Sequence, residues 1–169
     1  MPPLARTALQ APAPPIQHLH PAGLYDSTSN GYTHVVTAEE PLRWLFVSGQ
    51  GGEDADANLP YSFAQQADQA LRNVKTALAA GGACMADVTK LTVLIVDHDL
   101  QRFEQWQNSI RQHWGGSGQP PFPACTLIPV PKLALPGMLI EVDAIAAMKA
   151  ISSSAPMAPA PVARLPVSA

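Results

Sequence analysis

Two carboxylates, Glu141 and Asp143, stand two residues apart inside an otherwise apolar run, Leu139-Ile140-Glu141-Val142-Asp143-Ala144-Ile145-Ala146. That spacing puts both on one face of a strand, with Leu139 and Ile145, while Met138, Ile140, Val142, Ala144 and Ala146 take the other. Burying two like charges side by side is costly, because each loses water and each repels its neighbour. Either that face is wet and the pair solubilises an edge, or it lines a polar pocket. In the pocket reading Glu141 is a general acid/base or holds a water. Just upstream, Pro123-Ala124-Cys125-Thr126 opens a second apolar run that reaches Val130 and adds a thiol and a hydroxyl.

These residues need a scaffold, and the periodicity supplies one. Tyr32 to Thr37 and Trp44 to Ser48 read as strands joined by a loop with Glu39-Glu40-Pro41, and Gly49-Gln50-Gly51-Gly52 breaks the second. Ser62 sits three residues before Gln65, a capping-box spacing. Ala67, Ala70, Leu71, Val74 and Leu78 then form one helical stripe, stopped by Gly81-Gly82. Thr89 to Val96 is a β-branched run suited to a buried strand. Asp99 caps a second helix whose Phe103, Trp106, Ile110 and Trp114 share a stripe, closed by Gly115-Gly116. That aromatic stripe reads as core rather than as a cofactor box. The order of elements predicts an α+β fold, a single mixed β-sheet with two helices packed on one face. Its other face must be hidden, and Leu127, Leu139 and Ile145 are candidates for an apolar surface that invites association.

Composition excludes several classes of function. The 169 residues suit one domain, large enough to bury roughly 70% of its unfolded surface without a disulfide or metal. Two cysteines, Cys84 and Cys125, form no C-x-x-C pair, and five histidines form no metal-binding motif. His18 and His20 read as surface residues and Cys84 as structural. A net charge of −3 with no dense Lys/Arg run gives nucleic-acid binding little support. No apolar stretch approaches the ~20 residues of a membrane span. Prolines interrupt the N-terminus where a signal peptide needs an apolar core. A soluble, cytoplasmic protein is expected. Residues 1–15 hold five prolines among alanines, and 151–169 are nearly all Ser, Ala, Pro and Val. Both read as flexible tails around a domain at 16–150.

The chain also resembles a known family. Pro123-Ala124-x-Thr126, followed after a connector by Ile140-Glu141-Val142-Asp143-Ala144-x-Ala146, is similar to the C-terminal signature of the YjgF/RidA proteins. Val47-Ser48-Gly49-Gln50, Gln65-Gln66-Ala67 through Leu71-Arg72-Asn73-Val74, Ala80-Gly81-Gly82-Ala83 and Asp87-Val88-Thr89-Lys90 match upstream, in the family's order, so the likeness covers about residues 16–148. The resemblance implies a chorismate-mutase-like homotrimer with pockets between subunits. It implies hydrolysis of reactive enamines or imines to 2-oxo acids and ammonia, with no metal or cofactor. It carries the family's pocket glutamate to Glu141 and its pocket tyrosine to Tyr32, and gives the backbone around Cys125 and Thr126 a part in orienting the ligand. Ribonuclease activity is ascribed to some relatives, but this acidic chain offers no basic groove for it.

At one position the chain departs from the family. Where the family has an arginine that grips a substrate carboxylate, this sequence has Cys125. No Arg or Lys lies within Phe122–Val130, and Lys132 follows only after Pro131. A guanidinium holds a carboxylate by two charge-assisted bonds worth about 1.5–3 kcal/mol each, so binding of a small carboxylate falls by about 10²–10⁴-fold. Three readings of Cys125 stay open. It lines a pocket for an uncharged or larger substrate, or it is a nucleophile or thiol acid/base with His34 as a possible partner. In the third, the protein is a non-catalytic small-molecule binder or regulator.

Overall fold

The computed structural model describes residues 16–39, 41–114 and 121–150. The two tails and the Gly115-Gly116 stop lie outside the described residues. Among these residues six strands and two α-helices occur in the order β1 Ile16–Leu19, β2 Val35–Ala38, β3 Leu42–Gln50, α1 Phe63–Ala80, β4 Val88–Val96, α2 Leu100–His113, β5 Ala124–Val130 and β6 Ile140–Lys149.

Both helices begin as their caps dictate. Ser62 Oγ accepts from Gln65 N, and Asp99 Oδ1 accepts from Arg102 N at 2.7 Å. At the far end of α1, Gly82 takes φ +77° and donates to Ala79 O, which stops the helix. The stripe Ala67, Ala70, Leu71, Val74 and Leu78 is fully buried against the sheet. Trp106, Ile110 and Trp114 of the second stripe are buried too, whereas Phe103 is only partly so.

The four long strands form one mixed sheet in the order β3-β6-β4-β5. β6 pairs antiparallel with both neighbours, and β4 runs parallel to β5. A parallel pair cannot be joined by a tight turn, and α2 is the crossover. β1 and β2 make a separate antiparallel pair, so the expected single sheet is four strands with a two-stranded accessory. β1 is too short to announce itself in the sequence. It leaves His18 half-buried rather than on the open surface.

Register decides which face each residue takes. Leu91, Val93 and Ile95 of β4 and Ile140, Val142, Ala144 and Ala146 of β6 are buried under the helices. Lys90, Thr92 and Leu94, with Glu141, Asp143 and Ile145, occupy the opposite, helix-free face. On β3 that open face shows Trp44, 44% exposed, and Phe46, 78% exposed. Leu127 corrects the expectation for this surface. It pairs with buried Val93, and so lies on the helix side, packed against the core. Leu139 precedes β6 and also packs against the core, which leaves Ile145 as the one open-face residue of the three.

Gln66 locks the loop that leads into β6. Only 1% exposed, it donates to Pro60 O at 2.7 Å and Gly137 O at 2.9 Å, and accepts from Leu139 N at 2.8 Å. A buried amide with all these partners satisfied fixes the start of the strand that carries Glu141.

Candidate functional site

The candidate residues fall in two places, one on each face of the sheet. The first lies on the helix side of edge strand β5. Cys125 pairs in register with buried Leu91, which turns its side chain toward the helices. A cleft of about 190 Å³ there is lined by Asn30, Tyr32, Phe103, Trp106, Cys125 and Leu127.

The loop that brings Tyr32 to this cleft is held from several sides. Gly31 adopts φ +76°, and a Cβ on it would stand 2.5 Å from Ile110 Cγ2, so only glycine lets the loop lie on α2. Ser27 Oγ donates to Tyr32 O at 2.7 Å, and Thr33 N donates to Pro123 O at 3.0 Å. Gln107 Nε2 donates to Asn30 Oδ1 at 2.8 Å, and an Arg111 nitrogen donates to Ser29 O at 2.5 Å. Tyr32 therefore precedes β2 instead of lying in it. The expected strand from residue 32 starts three residues later, because Ser27 and Asn30, with the backbone of Ser29, Tyr32 and Thr33, are tied into this loop.

Electrostatics at the cleft favour neutral forms. Burial pushes the Cys125 thiol up to about 11, and the Lys90 ammonium opposes this only in part. Solvent still reaches part of Cys125, but its thiol is packed closely enough for the loss of hydration to dominate. At neutral pH only about one thiol in 10⁴ is a thiolate. Tyr32 is pushed up to about 12, first by burial and then by its hydrogen bond with the Tyr25 hydroxyl. His34 does not line the cleft. Its Nε2 lies 2.8 Å from Tyr25 O, and its ring stands edge-on to Tyr25 and Tyr32 at 5.2 and 5.4 Å.

The second group of candidate residues is on the open face. Glu141 sits on β6 opposite Leu94, beside the irregularity where the β3–β6 register slips between Val47 and Gln50. A Cβ on Gly49 would meet Glu141 Oε1 at 1.9 Å, so the carboxylate occupies the space that glycine leaves. Asp143 is anchored differently, accepting from Thr92 N at 3.2 Å. Thr126 is on this face as well, and its hydroxyl accepts from Lys90 Nζ.

The structure thus brings Tyr32 and Cys125 together and separates them from Glu141. Cys125 and Glu141 are two strands apart and on opposite faces of one chain. Sequence reasoning missed Asn30, Gln107, Leu127 and Tyr25 as neighbours of this site. Their contacts span loop, helix and edge strand, and no local pattern encodes them. Phe103 and Trp106 were visible, but only as part of a core stripe. Among the described residues, no three His, Cys, Asp or Glu side chains gather to hold a metal ion, and no helix is long and apolar enough to cross a membrane.

Comparison with known proteins agrees with this fold. The family model described as Endoribonuclease L-PSP matches residues 26–148. The 2-iminobutanoate/2-iminopropanoate deaminase of Bos taurus is 35% identical over 107 residues, covering 62% of this chain and 72% of the bovine one. Among solved structures, the Rid-family protein YyfB of Yersinia pestis superposes with a TM-score of 0.73 at 29% identity, over 79% of this chain and 99% of that one. The yjgF gene product of E. coli gives a TM-score of 0.53 at 31% identity, over 61% and 79%. With the family match spanning most of the folded region and these relatives beside it, the chain belongs to the endoribonuclease L-PSP, or YjgF/RidA, family.

Proposed function

We propose that this protein is a homotrimer that hydrolyses a small enamine or imine to a carbonyl compound and ammonia, in pockets between subunits. The observation that carries the reading is the seat of Glu141. Its carboxylate stands on a helix-free face against Gly49, in a family that includes a relative named as an imine deaminase. The separation of Cys125 from Glu141 supports a shared pocket, because only a neighbouring copy could set one chain's Tyr32–Cys125 cleft against another's carboxylate. Three copies is the number implied by the family resemblance.

Hydrolysis adds water across the C=N bond. Glu141 accepts a hydrogen bond from the water and takes its proton as the oxygen bonds to carbon, and the proton passes to nitrogen. The hydroxyl proton of the adduct then passes by way of Glu141 to the amine nitrogen as the C–N bond breaks, so that ammonia leaves and the carbonyl forms. The reaction written this way needs no metal or cofactor. Tyr32, a neutral phenol to about pH 12, orients the substrate with the backbone at Cys125 and Thr126. Cys125 lines the pocket, since its thiol stays protonated at neutral pH. The free thiols of Cys84 and Cys125 support a reducing cytoplasm as the place of work, and the net charge of −3 supports a small molecule over nucleic acid as ligand.

A second reading, a non-catalytic binder, draws on the uncharged lining of the Cys125 cleft. Ammonia release from imines made in situ separates the two. The unmodified protein should speed it above the protein-free rate, and Glu141→Gln should lose at least 100-fold while keeping fold and assembly. Ligand binding without any acceleration would establish the binder.

A further inference from the structure

We infer that the Cys125 pocket selects imines whose reacting carbon bears an uncharged, apolar group in place of a carboxylate. The inference rests on the hydrolytic reading and names the substrate class within it. The cleft walls are two aromatic rings of α2, the Leu127 side chain, a thiol and a phenol. Its one amide, Asn30, is held through Oδ1 by Gln107 and carries no charge. A carboxylate placed there would lose its water and meet no cationic side chain among the lining residues, with the Lys90 ammonium acting only from across the sheet.

Four cations close in sequence or on neighbouring elements lie outside the cleft. Lys90 Nζ donates to Thr126 Oγ1 on the opposite face of the sheet. Arg111 is held by Ser29 O and Asn108 Oδ1, and Arg102 donates to Val96 O. Lys132 lines a different groove, with Val96 and the 131–139 loop. None of the four lines the cleft, so no side chain there stands in for the arginine absent at position 125. A soft thiol beside aromatic rings suits an alkyl or aryl group of modest size, which the cleft volume of about 190 Å³ also limits.

The test compares two imines of matched chain length. An amine oxidase acting on a simple aliphatic amine supplies the neutral imine, and an amino-acid oxidase supplies the 2-imino acid. Ammonia release is read against the protein-free background. The unmodified protein is expected to accelerate the neutral imine at least tenfold more than the imino acid, and Cys125→Arg should invert that order. Leu127→Arg, two residues along the same face, provides a second charge in the cleft should the first variant not fold, and should shift preference in the same direction. Equal or greater acceleration of the imino acid by the unmodified protein overturns the inference and leaves imine hydrolysis standing. Acceleration of neither imine overturns both.

Discussion

Gly49 and Glu141 fill one another's space across the β3–β6 pair: the Glu141 carboxylate occupies the position a Cβ on residue 49 would need, with Oε1 only 1.9 Å from it. The register slip between Val47 and Gln50 opens that space, and Gln50 Nε2 braces it by donating to Ser48 O and Gly49 O. Gly49→Ala should therefore act on function before stability. The methyl would also meet Glu141 Cδ at 2.6 Å and Cγ at 2.8 Å, so the side chain must swing away from its seat, a change expected to cost about 1 kcal/mol in unfolding free energy. Displacing a catalytic group by about 1 Å costs as much as 10²-fold in rate. Paired thermal melts and imine-hydrolysis rates should show the larger loss in rate. A large fall in melting temperature with rate per folded molecule unchanged would contradict this.

Cys125 and Cys84 should differ sharply toward alkylating agents. Cys84 is exposed, whereas the Cys125 thiol is held at about 11 by burial. Because the thiolate is the reacting form, iodoacetamide at pH 7.5 should label Cys84 first, and the Cys125 rate should keep rising past pH 10. Cys125→Ser should retain most of the hydrolytic rate. Faster labelling of Cys125, with a midpoint below that of a free thiol, would return the nucleophile role to it.

The helices and the last strand were legible because each carries a local signal. Ser62 and Asp99 cap the helices they announce, and the alternation from Ile140 to Ala146 sorts buried from helix-free positions correctly, while Leu139, just ahead of the strand, turns to the core instead. Alternation names two faces without saying which one is covered, and β5 lacks even that. Ala124, Thr126 and Ile128 are no more polar as a set than Cys125, Leu127 and Pro129, so Leu127 could be placed only through its pairing with Val93. The sequence named Tyr32, Cys125 and Glu141 as candidates, but not their division between two faces. That division follows from the β3-β6-β4-β5 order, a long-range property.

Acid stability should report the tie between the two helices. Asp68 on α1 meets His113 Nε2 of α2 at 2.6 Å and Arg72 at 2.6 Å. Burial alone would raise its carboxyl, but the His113 hydrogen bond and the Arg72 and His113 charges outweigh it and hold the group below the usual range. A depressed carboxylate contributes stability that is complete above its unfolded value, about 3.9, and lost as pH falls through the folded value. Asp68→Asn should cost about 1 kcal/mol near neutral pH, reduced by partial exposure, and should flatten the decline in melting temperature below pH 4. Parallel declines in both proteins would show that Asp68 is not the group responsible.

Assembly is the condition on which the proposed shared pocket depends. Phe46 is 78% exposed and lies opposite Ile145, while Trp44 stands two residues away on the same helix-free face. Covering a phenylalanine of that exposure is worth about 1.5–3 kcal/mol for each copy, and bare aromatic surface of this kind favours association. Light scattering should give about three times the 17.9 kDa chain mass. Phe46→Asp would place a charge in that contact and is expected to return a folded single chain at micromolar concentration, with far-UV circular dichroism preserved. Imine hydrolysis should vanish with assembly, because Cys125 and Glu141 of one chain face away from each other. A monodisperse monomer of the unmodified protein would sink the trimer and the pocket between subunits together, and full activity in the monomeric Phe46→Asp variant would sink the pocket alone.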